Sequence, residues 1–242
     1  MPVLERGTYL KSIIYHVRMI LHWSSAAKPM KSKNWFEIRK ELYRQVRNHV
    51  QAHLGQESAG LRRYQKEYEK EFSKKWQISH RNDVIDAVVK AEFLFFGDFH
   101  ALQQSQKAQL RLLKELPANK KIILALECFE AKHQIAIDRY LDGKMSEKDF
   151  LKTVQWSKKW SFPWEHYKPI LKWAKKRKIK VLGLNLDTKD QGSKSLIQRD
   201  QFAVTRLLRV KQDFPDHQLV VIYGDLHLAE SHLPMGLKKK IG

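Results

Sequence analysis

Two stretches decide the fold: Phe93-Leu94-Phe95-Phe96-Gly97-Asp98-Phe99-His100 and Leu219-Val220-Val221-Ile222-Tyr223-Gly224-Asp225-Leu226-His227. Each is a short apolar run, rich in aromatic or β-branched residues, that ends in Gly-Asp-X-His. Runs of this length and composition read as buried strands. An acid and an imidazole two residues apart, just past a strand and after a glycine, make a candidate site.

Two further runs, 121–126 and 179–184, read as strands in the same way. Between the strands lie helical patterns at about 102–116, 129–142, 146–155, 164–177 and 195–212. Strands alternating with helices predict an α/β domain, a largely parallel sheet flanked by helices on both faces. This domain is expected over 83–242, with a helical insertion at about 129–173 that projects as a small subdomain. Residues 1–82 read as an N-terminal helical extension. Tyr9, Leu10, Ile13, Ile14, Val17, Ile20 and Leu21 space out a helix to about Trp23, and 24–34 is a linker. A second helix over 35–54 carries Trp35, Ile38, Leu42, Val46 and Val50 on one face and stops at Gly55. A third, over about 61–76, is highly charged and poorly amphipathic, which suits a solvated helix or a mobile arm.

With 43% apolar residues in 242, the chain can bury a substantial core. The single cysteine, Cys128, excludes an internal disulfide and a multi-thiolate zinc site. No apolar run approaches the roughly 20 residues of a membrane span. No signal peptide or lipid-attachment cysteine is visible, so the expectation is a cytoplasmic protein. The net charge of +20 is spread along the chain, with 18 basic and 9 acidic residues before position 91 and 28 and 17 after it. A nucleic-acid binder concentrates basic residues on one element and interleaves aromatics, so no specific nucleic-acid partner is expected.

In an open parallel sheet, ligands bind beyond the carboxyl ends of the strands. The four strands here run into Asp98 and His100, Glu127, Asn185 and Asp187, and Asp225 and His227. Two chemistries fit that set. His100, Glu127, Asp225 and His227 suit a divalent metal held by nitrogen and oxygen. The same strand-end groups instead suit a metal-free acid–base site in which a carboxylate orients a histidine that activates water. The ordinary alternative for each strand-end acid is a helix cap or turn residue. For Glu127 it is a buried ion pair with an arginine such as Arg199. His232 follows His227 by five residues and does not share a helical face with it. Trp156, Trp160, Trp164 and Trp173 line either the core or a pocket for a flat cofactor. Tyr140, Tyr167, His133 and His166 are residue types that can ligate haem iron.

Several stretches resemble the ChaN-like haem-binding proteins. They are 96–100 with Gln103, Gln104 and Gln106, then 125–130, His133-Gln134, 138–143, Trp156 with Trp160, 167–171 and 182–185. That family is similar to a superfamily holding Tiki-type metalloproteases, TraB-like proteins and erythromycin esterases. The resemblance covers about 91–235 and is most specific over 121–185. It implies an α/β domain with a small helical bundle, and haem binding or iron uptake as the role. Its cofactors would be haem, with Tyr140, Tyr167 and His133 as binding residues, or a divalent metal. Its partners would be haem or a small-molecule ligand, with a homodimer as the assembly. Elsewhere in the superfamily, positions matching Asp98, His100, Glu127 and His227 are linked to hydrolysis. The chain departs from the family where Asp98 replaces the common Glu. No lipoprotein signal like that of exported members is visible, and the expectation is that a last strand or helix of the family is missing after Leu237.

Overall fold

The computed structural model describes residues 41, 44, 45, 48, 59–72, 79–188 and 193–241. The helices expected before Gly55 lie outside the described residues, apart from 41, 44, 45 and 48, which are helical. The described chain runs α1 (Ala59–Phe72), α2 (Arg81–Lys90), β1 (Phe93–Asp98), α3 (Gln103–Glu115) and β2 (Ile122–Glu130). After a single turn over Ala131–His133 come α4 (Gln134–Leu141), α5 (Glu147–Thr153), α6 (Trp156–Lys159) and α7 (Trp164–Lys176). Then follow β3 (Lys180–Asn185), α8 (Ser193–Asp213), β4 (Gln218–Gly224), a turn over Asp225–Leu228, and α9 (Leu233–Ile241).

The four strands form one parallel sheet in the order β1-β4-β2-β3. The α/β architecture is the one the strand and helix patterns predict, with β4 inserted between β1 and β2. The sheet is buried on both faces, which is why its strands are near-continuous apolar runs. Side chains alternate across it. Leu94, Phe96, Leu124, Leu126, Val220 and Ile222 point to a core shared with α3 and α7. Phe93, Phe95, Ile123, Ala125, Leu219, Val221 and Tyr223 point to a second core under α8 and α9.

Two local expectations change. Helical structure after β2 begins at Ala131 rather than 129, because β2 extends to Glu130. The helices α4 to α7 pack onto the sheet in one continuous core rather than projecting from it. Phe129, Phe150, Trp156, Trp164 and Tyr167 supply that join, with Trp156 and Trp164 edge to face at 5.0 Å and Phe129 and Phe150 at 5.4 Å. These tryptophans are core. The charged segment expected as a solvated helix or mobile arm is α1, and it docks on α8 and the turn after β4, burying Tyr68.

Candidate active site

The paired register sets Asp98 beside Gly224, so the two Gly-Asp-X-His copies lie on adjacent strands with their ends level. The copies interlock. A Cβ on Gly97 would lie 1.8 Å from Asp225 Oδ1, and one on Gly224 would lie 3.0 Å from Glu127 Oε2 and 3.1 Å from His100 Nε2. Each glycine leaves space that a side chain from a neighbouring strand or the turn after it occupies. The register of β2 shifts between Leu126 and Glu130, where it leaves β4. Such irregularities re-aim side chains beside sites. Here the Glu127 carboxylate turns toward β4 and Oε2 accepts the Gly224 amide at 2.5 Å.

Glu127 is the centre of the cluster. Its Oε2 lies 3.7 Å from His100 Nε2. Its Oε1 lies 3.9 Å from His227 Nε2 and 3.8 Å from an Arg199 guanidinium nitrogen. Each histidine has its other nitrogen on an aspartate: His100 Nδ1 on Asp98 Oδ2 at 2.8 Å, and His227 Nδ1 on Asp200 Oδ1 at 2.6 Å. Two Asp–His pairs thus face one buried carboxylate from two sides, and each aspartate fixes which ring nitrogen is turned inward. Asp98, Glu127, Asp200 and His227 are all buried.

Asp98 is held by more than His100. Gln106 Nε2 donates to its Oδ1, Gln109 Nε2 donates to the same oxygen at 3.3 Å, and the Tyr167 hydroxyl donates to Oδ2 at 2.8 Å. The His100 ring meets Trp160 edge on at 4.5 Å and Phe162 at 5.1 Å, so its outer side is an aromatic wall. Burial would lower the pKa of His100. The charge of Asp98, its hydrogen bond and the charge of Glu127 outweigh that, and the net shift is upward. The Cys128 thiol beside Glu127 is pushed well up by burial, then by the Asp98 and Glu127 charges, which keeps it an inert thiol.

Asp98, His100, Glu127 and His227, read from the strand ends, are brought together, with Arg199 on Glu127 as the ion-pair alternative anticipated. Asp225 is not part of the group: its Oδ2 accepts the Tyr68 hydroxyl. Asn185 is buried, and the exposed Asp187 is bonded by Lys132 at 2.7 Å and Lys159 at 2.9 Å, which bring its carboxyl down to about 2. His232 turns to Glu67, at 2.7 Å. Among the described residues no three of His, Cys, Asp and Glu are grouped to hold a metal ion. With Asp225 turned away, the expected set of His100, Glu127, Asp225 and His227 does not fit a divalent metal.

Of the haem-ligand candidates, Tyr167 stands in the cluster on Asp98, and Tyr140 and His133 lie outside it. Tyr140 is buried, stacked on Phe150 at 4.4 Å, with its hydroxyl toward Glu147 at 3.3 Å. Burial, then the Glu147 charge, pushes it up to about 12. Tyr167 is buried against Asp98, and burial and the Asp98 charge raise it far above the ordinary phenol range. Iron ligation by tyrosine uses the phenolate, which both environments disfavour. His133 Nε2 faces Glu130 at 3.3 Å, and His166 Nδ1 lies 3.4 Å from the His100 carbonyl.

Asp200 was not anticipated, although the sequence carries a signal for it. On α8 it shares the apolar stripe of Ala203, Val204 and Leu207 at i+3, i+4 and i+7, where a carboxylate needs a buried partner. Gln109 carries the same signal on α3, four residues before Leu113.

A family model described as haem-binding uptake, Tiki superfamily, ChaN matches residues 84–193. Among solved structures, ChaN of Campylobacter jejuni, in a structure of cofacial haem binding, is 13% identical. That match covers 69% of this chain and 83% of that one with a TM-score of 0.50, a likeness of fold. The C-terminal region of Pasteurella multocida toxin, described with a thiol-protease like catalytic triad, is 15% identical with a TM-score of 0.48. That match covers 60% of this chain and 21% of that one. RRSP, a MARTX toxin effector domain from Vibrio vulnificus, is 18% identical over 68% of this chain and 33% of that one, with a TM-score of 0.42. Neither toxin likeness is close enough to carry an argument. No curated protein matches the chain. No helix among the described residues is long and apolar enough to cross a membrane. Residues 84–193 thus resemble the ChaN-like haem-binding uptake family of the Tiki superfamily, and the chain shares the fold of ChaN.

Proposed function

We propose that the strand-end cluster is an acid–base site for hydrolysis of an ester or amide. One observation carries this reading: two imidazoles, each fixed by its own aspartate, turn Nε2 toward the same buried carboxylate. That geometry provides a proton acceptor and a proton donor on one carboxylate. His100, with its raised pKa, is the group that holds a proton and delivers it to a leaving atom. His227, held by Asp200, takes the proton from the attacking water. Glu127 fixes the pair electrostatically, and Arg199 balances its charge and faces the oxyanion that develops on the carbonyl. The aromatic wall of Trp160 and Phe162 favours a substrate with an apolar group next to the scissile bond.

An esterase and peptidase screen of the full chain tests this, with His100→Ala as control. Turnover that His100→Ala lowers about 100-fold or more, the typical contribution of a positioned acid–base group, supports the reading. Turnover unchanged in that variant removes the site.

The family match favours a second reading, haem binding. Hemin titrated into the protein then gives a Soret band at stoichiometric ratio. Tyr140→Phe and Tyr167→Phe leave the band in place, because both hydroxyls are held inside the fold, and His133→Ala probes the third candidate. Absence of a spectral change at one equivalent of hemin overturns this reading without touching the first.

A further inference from the structure

The second Gly-Asp-X-His copy sends its two functional side chains to different places. His227 enters the cluster, while Asp225, on the same single turn, reaches α1. The Asp225 carboxylate is wedged: Oδ1 fills the space left by Gly97 and Oδ2 accepts the Tyr68 hydroxyl. A second grip lies one residue on. The Leu226 carbonyl is met by His232 Nδ1 at 2.7 Å, and His232 Nε2 in turn meets Glu67 Oε2 at 2.7 Å. The Ser231 hydroxyl donates to the same Glu67 oxygen at 2.9 Å. Tyr68 and Glu67 are neighbours on α1, so one turn of that helix holds the residues just before His227 from two sides. The same helix roofs a cavity of about 340 Å³ between α1, α8 and α9, lined by Arg63, Glu67, Asp200, Val204 and Lys240 among others. Asp200 is the partner of His227 Nδ1. Both the backbone that carries His227 and the carboxylate that orients it therefore lie under α1.

We propose that α1 is a positioning element for His227, acting through Tyr68 on Asp225 and through Glu67 on His232. The proposal rests on the acid–base reading of the His227 site. The helix lies before the stretch matched by the family model. A ring nitrogen must sit within a few tenths of an ångström of its working position, and a turn of four residues has little rigidity of its own. The helix supplies that rigidity. Its mixed charge leaves Tyr68 as its buried anchor among the residues whose side chains are described, so the docking rests on few contacts.

The test uses the full chain, uniformly labelled with nitrogen-15, with Tyr68→Phe and Glu67→Ala. Long-range proton–nitrogen spectra read the histidine rings directly. In both variants the His227 ring signals shift or broaden, while those of His217, at the opposite end of the sheet, stay in place. In the hydrolysis assay Tyr68→Phe lowers kcat about tenfold with KM unchanged, the scale of one hydrogen bond to a charged group. His227 signals identical to the parent in both variants overturn the proposal, whatever the melting temperature does. If Tyr68→Phe does not fold, Glu67→Ala, a half-buried position of α1 beside Ser231 and His232, decides by the same spectra. His227 signals that move in a protein with no hydrolytic activity support the positioning role and reject the acid–base reading instead.

Discussion

The two copies of Gly-Asp-X-His share a sequence but not a job. In 97–100, Asp98 and His100 form a pair with each other, and Gln106, Gln109 and Tyr167 hold the aspartate in place. In 224–227 the same spacing separates the pair: His227 takes Asp200 from α8 as its partner, and Asp225 takes Tyr68 from α1. Identical local sequence therefore meets different surroundings, and the surroundings assign the roles. The first copy makes its dyad locally, between the last residue of β1 and the turn that follows it. The second begins a single helical turn directly after Gly224, which rotates Asp225 away from His227.

Exchanging the two aspartate partners breaks the comparison most sharply. Asp200→Asn and Asp98→Asn each leave a histidine with an amide where its carboxylate stood. Each is expected to lower turnover about 10³-fold to 10⁴-fold, as wrong-tautomer variants of carboxylate–histidine pairs do. Asp225→Asn lowers it far less, because Asp225 does not touch His227's ring. A steady-state assay of the three variants checks this. Equal losses for Asp200→Asn and Asp225→Asn would mean that the second copy works as the first does.

The interlock gives the next effect. Gly97→Ala places a methyl where Asp225 Oδ1 stands, and overpacking of this kind costs about 2 kcal/mol. Shortening the obstruction with Asp225→Ala in the same chain recovers part of that loss. Urea denaturation of the single and double variants measures both, and a Gly97→Ala protein as stable as the parent shows that the wedge is not there.

The smallest effect concerns pH. His100 has a folded pKa raised above its ordinary 6.5, so its pairing with Asp98 contributes stability in full below 6.5 and loses it as pH rises through the folded value. The ring is partly solvent-exposed, which keeps this contribution modest. Denaturation midpoints from pH 6 to 9 fall more steeply for the parent than for His100→Asn. Parallel curves would place the proton elsewhere in the cluster.

The four strands, the parallel sheet and the convergence of Asp98, His100, Glu127 and His227 were legible because each apolar run ends in polar residues. A parallel sheet collects those ends on one edge. Arg199 as partner of Glu127 was legible for a similar reason, since a buried carboxylate calls for a cation. Tyr167 was visible as a residue of interest, but its place at Asp98 was not, because 69 residues separate the two. The metal expectation failed at Asp225, whose orientation follows from the turn after Gly224 and not from its spacing to His227.

By itself, the sequence determined which residues lie on buried strands and which polar groups end them, since apolar runs and their breaks are local properties of the chain. Only the tertiary structure decided that β4 lies between β1 and β2, that Asp200 serves His227, and that α1 closes over the second copy. Those choices depend on side chains far apart in sequence. Their partners become neighbours only when the sheet has assembled, and no local pattern encodes the pairing.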